Sequence, residues 1–191
     1  MGKLLQELFA EIGIAVAPLK KRRGYVVLVL FLFLLFSLFG RTHKMLFFVP
    51  VLMIFASFSM FYNWFFRLSL GVELITLATV LCAVVYGPVT GAMVGFFSLL
   101  FAEIISTKLA YNTIISLAAV VVVGVVASAH LIENISVWGI AMTLLYDTMI
   151  IPLYVVTGSS PVKSFIYLVT HILWNGWVFT FVAPRLLEAM V

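Results

Sequence analysis

Residues 71–106 read GVELITLATVLCAVVYGPVTGAMVGFFSLLFAEIIS. Two long apolar runs meet there at Gly87-Pro88. Proline cannot continue a preceding helix and disfavours helical geometry in the residue before it. The stretch therefore reads as a hairpin of two spans, from about Leu70 to Tyr86 and from Val89 to Ser106. A bilayer core of about 30 Å takes about 20 apolar residues as a helix, and both runs approach that length. The same pattern extends outward in both directions. Upstream, one span is predicted from Gly24 to Gly40, closed by RTHK at 41–44, and another from Met45 to about Phe66. Asn63, Trp64 and Arg67 mark an interface at the end of the second. Downstream, spans are predicted from about Asn112 to Leu131, from about Ser136 to Val156, and from about Val162 to Val182, with TGSSP at 157–161 as a turn between the last two.

Composition agrees with this reading. Of 191 residues, 65% are hydrophobic and 9% charged, against about 45–50% and about 25% in soluble domains. A soluble fold of this length has too much surface for its volume to bury such a content. The runs are too long and too uniformly apolar for barrel strands, and a spanning segment must satisfy its own backbone hydrogen bonds, so a helical bundle is expected. Residues 1–23 form a separate basic segment. Within it Leu4, Leu5, Leu8, Phe9 and Ile12 oppose Gln6, Glu7 and Glu11 at helical spacing, as in a helix lying on the membrane surface. Residues 24–183 make one transmembrane domain, and 184–191 a short C-terminal tail.

The net charge of +4 is concentrated in Lys20, Lys21, Arg22 and Arg23. Basic residues so placed are juxtamembrane anchors, worth about 1 kcal/mol each near an anionic leaflet; they form no basic face that could track nucleic acid. With the N-terminus in the cytoplasm, that side collects Lys3, Lys20, Lys21, Arg22, Arg23, Arg67, Lys108 and Lys163, and the other holds Arg41, Lys44 and Arg185. The positive-inside rule favours this orientation in a cell membrane, although Arg41 and Lys44 then crowd a single outer loop. Cys82, the one cysteine, lies within an apolar run and reads as a small core residue.

Polar groups inside apolar spans are costly, which makes them the candidates for function. Asp147 lies too deep in the sixth span to reach the interface. Tyr146, Ile150, Ile151 and Tyr154 share its broad helical face, so two phenols flank the carboxylate. It is a candidate ligand or cation contact; the plainer reading is a hydrogen bond that holds two helices together. Glu103 lies one turn before Thr107, either facing a site or reaching for the interface. In the seventh span His171, Trp174, Asn175 and Val178 share one face, and a histidine, an indole and a carboxamide suit a flat polar organic ligand. Trp174 and Trp177 also fit an ordinary aromatic belt. Gly91 and Gly95 give the small-residue spacing that lets helices approach closely. His43, His130 and His171 carry no zinc-site spacing, and neither phosphate loops nor nucleophile elbows occur, so no metal, cofactor or catalytic activity is expected.

The hairpin of residues 71–106, with Gly87, Pro88, Gly91, Gly95 and then the acidic Glu103, resembles the substrate-binding S-components of energy-coupling-factor transporters. In that family the acid is more often an aspartate. The segment SPVKSFIYLVTHILWNGWVFTFVAPRLLEAM at 160–190 is similar to the family's last helix, with Asn175 in the place of a frequent asparagine. The resemblance covers about residues 45–183. It implies an all-α polytopic bundle of six core transmembrane helices plus one additional N-terminal hydrophobic helix. It further implies that a vitamin-like small organic solute is bound among the later helices. A separate energising transmembrane subunit and ATPases would then drive uptake. Glu103 and Asn175 are the residues it supports for the pocket; Asp147, Tyr146, His171 and Trp174 rest on helical geometry. The second span lacks the alanine-rich docking motif usual in the family. The competing expectation is a non-transporting scaffold, similar to small rod-shape-determining membrane proteins, that would bind partners through its glycine face. A third is an intramembrane enzyme in which Glu103, Asp147 and His171 converge.

Overall fold

The computed structural model describes residues 41–64, 70–107 and 109–191. The amphipathic segment expected at 1–23 and the span expected at 24–40 lie outside these residues. Among the described residues all regular structure is helical. The helices are α1 (Arg41–Ser59), a 3₁₀ turn (Phe61–Trp64), α2 (Ile75–Tyr86), α3 (Pro88–Ile105), α4 (Tyr111–Ala127), α5 (Ile135–Val156), α6 (Pro161–Phe181) and α7 (Ala183–Met190). Residues 48–191 form one compact unit, which α1 enters at Phe48.

Local chemistry sets the boundaries. Gly87 takes φ 96°, a conformation that L side chains avoid, and its N–H closes α2 on Ala83 O at 3.0 Å. Pro88 then opens α3, where a missing N–H costs nothing. The Asn134 side chain caps α5 by accepting from the N–H groups of Ser136 (2.9 Å) and Val137 (3.2 Å). Gly158, at φ 97°, carries the turn before Pro161.

Three helical stretches are long and apolar enough to cross a membrane: His43–Trp64, Pro88–Ile105 and Ile135–Val156. A fourth is obtained if α6 and α7, bent by 48° at Val182, form one span. The exterior is correspondingly apolar, with Phe55, Phe58, Phe101 and Leu173 all exposed. So large an apolar surface is at home in lipid, not in water.

The expected boundaries shift in four places. The stretch read as a span from Leu70 becomes helical only at Ile75. The one expected to reach Leu131 ends at Ala127, the supposed tail at 184–191 is mostly helix, and RTHK at 41–44, read as a loop, opens α1. Of these, the first positions the site. α2 has 12 residues, about 18 Å of helix, too short to cross a bilayer alone. Ten of those residues are buried, and α2 packs against α3, α4, α5, α6 and α7. It is a central helix sheathed by others, and non-helical backbone leading into it is tolerable at membrane depth because protein surrounds it.

In lipid, helices associate by close packing and polar contacts more than by hydrophobic transfer. Glycines supply the closeness here. A Cβ on Gly91 would lie 2.4 Å from Ala83 Cβ, and one on Gly95 would lie 2.6 Å from Thr79 Oγ1 and 2.8 Å from a Val120 methyl. The face of Gly91 and Gly95 is thus filled by α2 and α4. On α4, a Cβ at Gly124 would lie 2.6 Å from the backbone nitrogen of Ala92. Gly124→Ala should cost about 1–3 kcal/mol, the usual penalty of overpacking, and lower the thermal unfolding midpoint in detergent. An unchanged midpoint would mean that α3 and α4 do not approach so closely.

Candidate functional site

Five residues before α2, at 70–74, run without helical structure along α6. Gly71 makes this approach possible: its N–H donates to Thr170 Oγ1 at 2.9 Å, and its Cα faces the backbone of His171. The segment is fixed at its other side by Leu74 N–H donating to Ser59 Oγ (3.0 Å) and by the Tyr62 hydroxyl donating to Leu70 O. Two residues beyond Gly71, Glu73 turns into the protein and is 5% exposed. Its carboxylate accepts from the N–H groups of Ile75 and Thr76 and from Thr76 Oγ1 (2.7 Å). These are the otherwise unpaired donors of the first turn of α2, where a helix favours negative charge.

Glu73 is also one end of a buried polar line. His171 Nε2 lies 3.0 Å from Glu73 Oε1, and His171 Nδ1 lies 2.7 Å from Asp147 Oδ1. His171 is 0% exposed and Asp147 1%. Asn175, one turn along α6, donates to His171 O (3.2 Å) and reaches Glu73 Oε1 at 3.5 Å. Trp174 Nε1 donates to the backbone oxygen of Glu73 at 2.8 Å. Thus α5, α6 and the lead-in to α2 are tied together at one imidazole.

The proton count of this line is constrained. Each N···O contact needs one proton, and a neutral imidazole carries only one. Both contacts are satisfied when a second proton is present, on the ring or on a carboxyl. In either case two carboxyl groups and one histidine then carry a net charge of −1. Asp147 Oδ2 and Asn175 Oδ1 are buried without a hydrogen-bond partner among the described residues.

Beside this line is a cavity of about 90 Å³, room for several waters at about 10–15 Å³ each. Its wall includes Glu73, Glu103, Ser116, Tyr146, Tyr154 and Tyr167. Two of these rings belong to both features: Tyr167 stacks on His171 (centroids 5.1 Å, 23°), and Tyr146 leans against it (5.7 Å, 54°). Ser116 Oγ and the Tyr154 hydroxyl are hydrogen-bonded to each other. Glu103 joins this wall from α3, and Glu73 from the lead-in to α2. No protein family, characterised protein or solved structure matches this chain. What the site does is therefore read from its own geometry.

Of the residues singled out from sequence, Asp147, His171, Asn175 and Trp174 meet at the polar line, and Tyr146 and Glu103 line the cavity. The convergence of Glu103, Asp147 and His171 takes a different form, because Glu73 holds the third place on the imidazole. Trp177, exposed and tilted against Trp174 at 5.6 Å, belongs to the outer surface. His130 meets Trp138 edge-on at 6.5 Å, between α4 and α5. No group of three His, Cys, Asp or Glu side chains that could hold a metal ion occurs among the described residues. Sequence reasoning missed Glu73. A carboxylate at the edge of an apolar run reads as interfacial; the available signal was its placement just before the run that becomes α2, where a helix start favours negative charge.

Proposed function

We propose that this chain is a multi-pass membrane protein that binds a small organic solute and serves its uptake, in the manner of the S-components it resembles. The observation that carries this reading is the cavity among the helices of residues 48–191, walled by two carboxylates and three tyrosines and backed by a fixed polar line. Solute sites have this form: a concave space with a few polar groups held in place by their neighbours. The further elements of the reading are six core helices with 24–40 as an additional one, a cytoplasmic N-terminus in a cell membrane, and a separate energising subunit with ATPases.

The site suits binding better than catalysis. A general base needs an oxygen or nitrogen open toward its substrate. The carboxylate of Glu73 is instead engaged by two backbone N–H groups, a hydroxyl, an imidazole and a carboxamide.

A thermal-shift screen of the full chain in detergent, against vitamins, nucleobases, amines and organic acids, tests the proposal. A ligand at about 100 times its Kd stabilises the native state by about 2.7 kcal/mol, so the midpoint should rise clearly for one solute class. Ser116→Leu, which puts a larger side chain into the cavity, should erase that rise while keeping a cooperative transition. A flat screen with a cooperatively unfolding protein would sink the uptake reading. It would favour a scaffold instead, working through surfaces other than the Gly91 and Gly95 face, which α2 and α4 already fill.

A further inference from the structure

We infer that the Glu73–His171–Asp147 line is a proton-binding site, in which Asp147 holds an exchangeable proton as a neutral acid and Glu73 carries the charge. This concerns the line alone and stands whether or not the cavity binds a solute. The two contacts of the imidazole require one proton more than a neutral ring between two carboxylates supplies. Where that proton rests follows from what each carboxyl group meets.

Glu73 accepts from the N–H groups of Ile75 and Thr76, from Thr76 Oγ1, from Asn175 and from the imidazole. Hydrogen bonds to a carboxylate and the start of a helix both favour its charged form. Asp147 has the opposite surroundings. It is buried within α5, its Oδ1 meets the imidazole, and its Oδ2 has no hydrogen-bond partner among the described residues. A carboxylate so poorly supplied with donors in an apolar interior takes up a proton instead. Tyr146 from the same helix and Tyr167 from α6 also act on Asp147, and both are phenols that bear no charge at neutral pH.

One arrangement satisfies both contacts under these conditions. Asp147 Oδ1–H donates to His171 Nδ1 (2.7 Å), and His171 Nε2–H donates to Glu73 Oε1 (3.0 Å). The imidazole is then neutral, with its tautomer set by the two acids. Burial and the stacked Tyr167 ring hold it in that pose.

The same geometry gives the proton a way out. As the Asp147 O–H bond breaks, an Nδ1–H bond forms; as the Nε2–H bond breaks, a Glu73 O–H bond forms. The imidazole is neutral before and after, and the negative charge passes from Glu73 to Asp147. Glu73 is part of the cavity wall. Two short transfers therefore join the interior of α5 to a space with room for water.

Asp147 is the only aspartate in the sequence, so its protonation is measurable in the unaltered chain. The test is infrared spectroscopy of the detergent-purified full chain, made by cell-free synthesis with aspartate isotope-labelled at the side-chain carboxyl carbon. At neutral pH we expect the label to move the C=O stretch of a protonated carboxylic acid. Transfer to heavy water should shift that band again, as deuterium replaces the proton. A label that moves carboxylate stretches instead overturns the proposal, and so does an acid band that heavy water leaves in place. Paired variants report the same asymmetry as stability. Asparagine keeps a donor toward Nδ1 and adds no charge, so Asp147→Asn should leave the thermal unfolding midpoint near its original value. Glu73→Gln puts an amide nitrogen among hydrogen-bond donors and should lower the midpoint. The reverse order would place the charge on Asp147 and overturn the assignment.

Discussion

Replacing His171 with alanine should destabilise the protein by about 3–5 kcal/mol, the usual result of removing one partner from a buried charged pair. The imidazole hydrogen-bonds to both Glu73 and Asp147, and it is 0% exposed. Without it two carboxyl groups are left buried, each short of a partner. The cost comes chiefly from this uncompensated polarity, and the lost packing against Tyr146 and Tyr167 adds to it. That division can be tested. Adding Glu73→Gln and Asp147→Asn to His171→Ala removes the acids, so the triple variant should regain part of the lost stability despite carrying more changes. Thermal or denaturant unfolding in detergent, arranged as a mutant cycle, gives the coupling directly. A cost below about 1 kcal/mol for His171→Ala would mean that the line is solvated and contributes little.

The second large effect is expected at Gly71. A Cβ there would fall 2.3 Å from His171 Cβ, 2.5 Å from its Cα and 2.6 Å from its backbone nitrogen. These atoms belong to a helix and cannot rotate aside, unlike the end of a flexible side chain. Gly71→Ala must therefore push residues 70–74 off α6, breaking the Gly71–Thr170 hydrogen bond and displacing Glu73 from His171. The loss should reach about 3 kcal/mol, the upper end for overpacking, and solute binding should fall with it. Gly176 on the same helix is the control, because a Cβ there meets nothing within 4 Å. Gly176→Ala should be neutral or stabilise by up to about 1 kcal/mol. Similar losses at both positions would show that the helix, and not the contact at residue 71, is what responds.

Much of this site can be read from sequence for one reason: burying a polar side chain in an apolar run is costly, so such a residue attracts attention wherever it lies. Asp147, His171 and Asn175 stand out on that ground, Asn175 also through the resemblance, and all three meet in the structure. Glu73 escapes the same reasoning. Its burial depends on the chain leaving helical form at 70–74, and hydropathy cannot distinguish a short sheathed helix from the inner part of a long span. The same blindness sets the third span five residues too early. Glu103 shows the opposite limit. Its spacing from Gly91 and Gly95 marks it as noteworthy, but which space it faces is decided by the packing of α3 against α2 and α4. That packing is set by glycine contacts measured in tenths of an ångström.

The join between Glu73 and His171 also has a history in time. The two residues are 98 positions apart, and a ribosome adding about 5–20 residues per second makes the second roughly 5–20 s after the first. Within that interval α3, α4 and α5 are made in turn, but the imidazole that receives the lead-in carboxylate of α2 comes only with α6. At about 18 Å α2 is too short to rest across the bilayer by itself. It must wait at the membrane surface or in the keeping of the insertion machinery until α5 and α6 arrive. The innermost helix of the finished protein is then among the last to take its place.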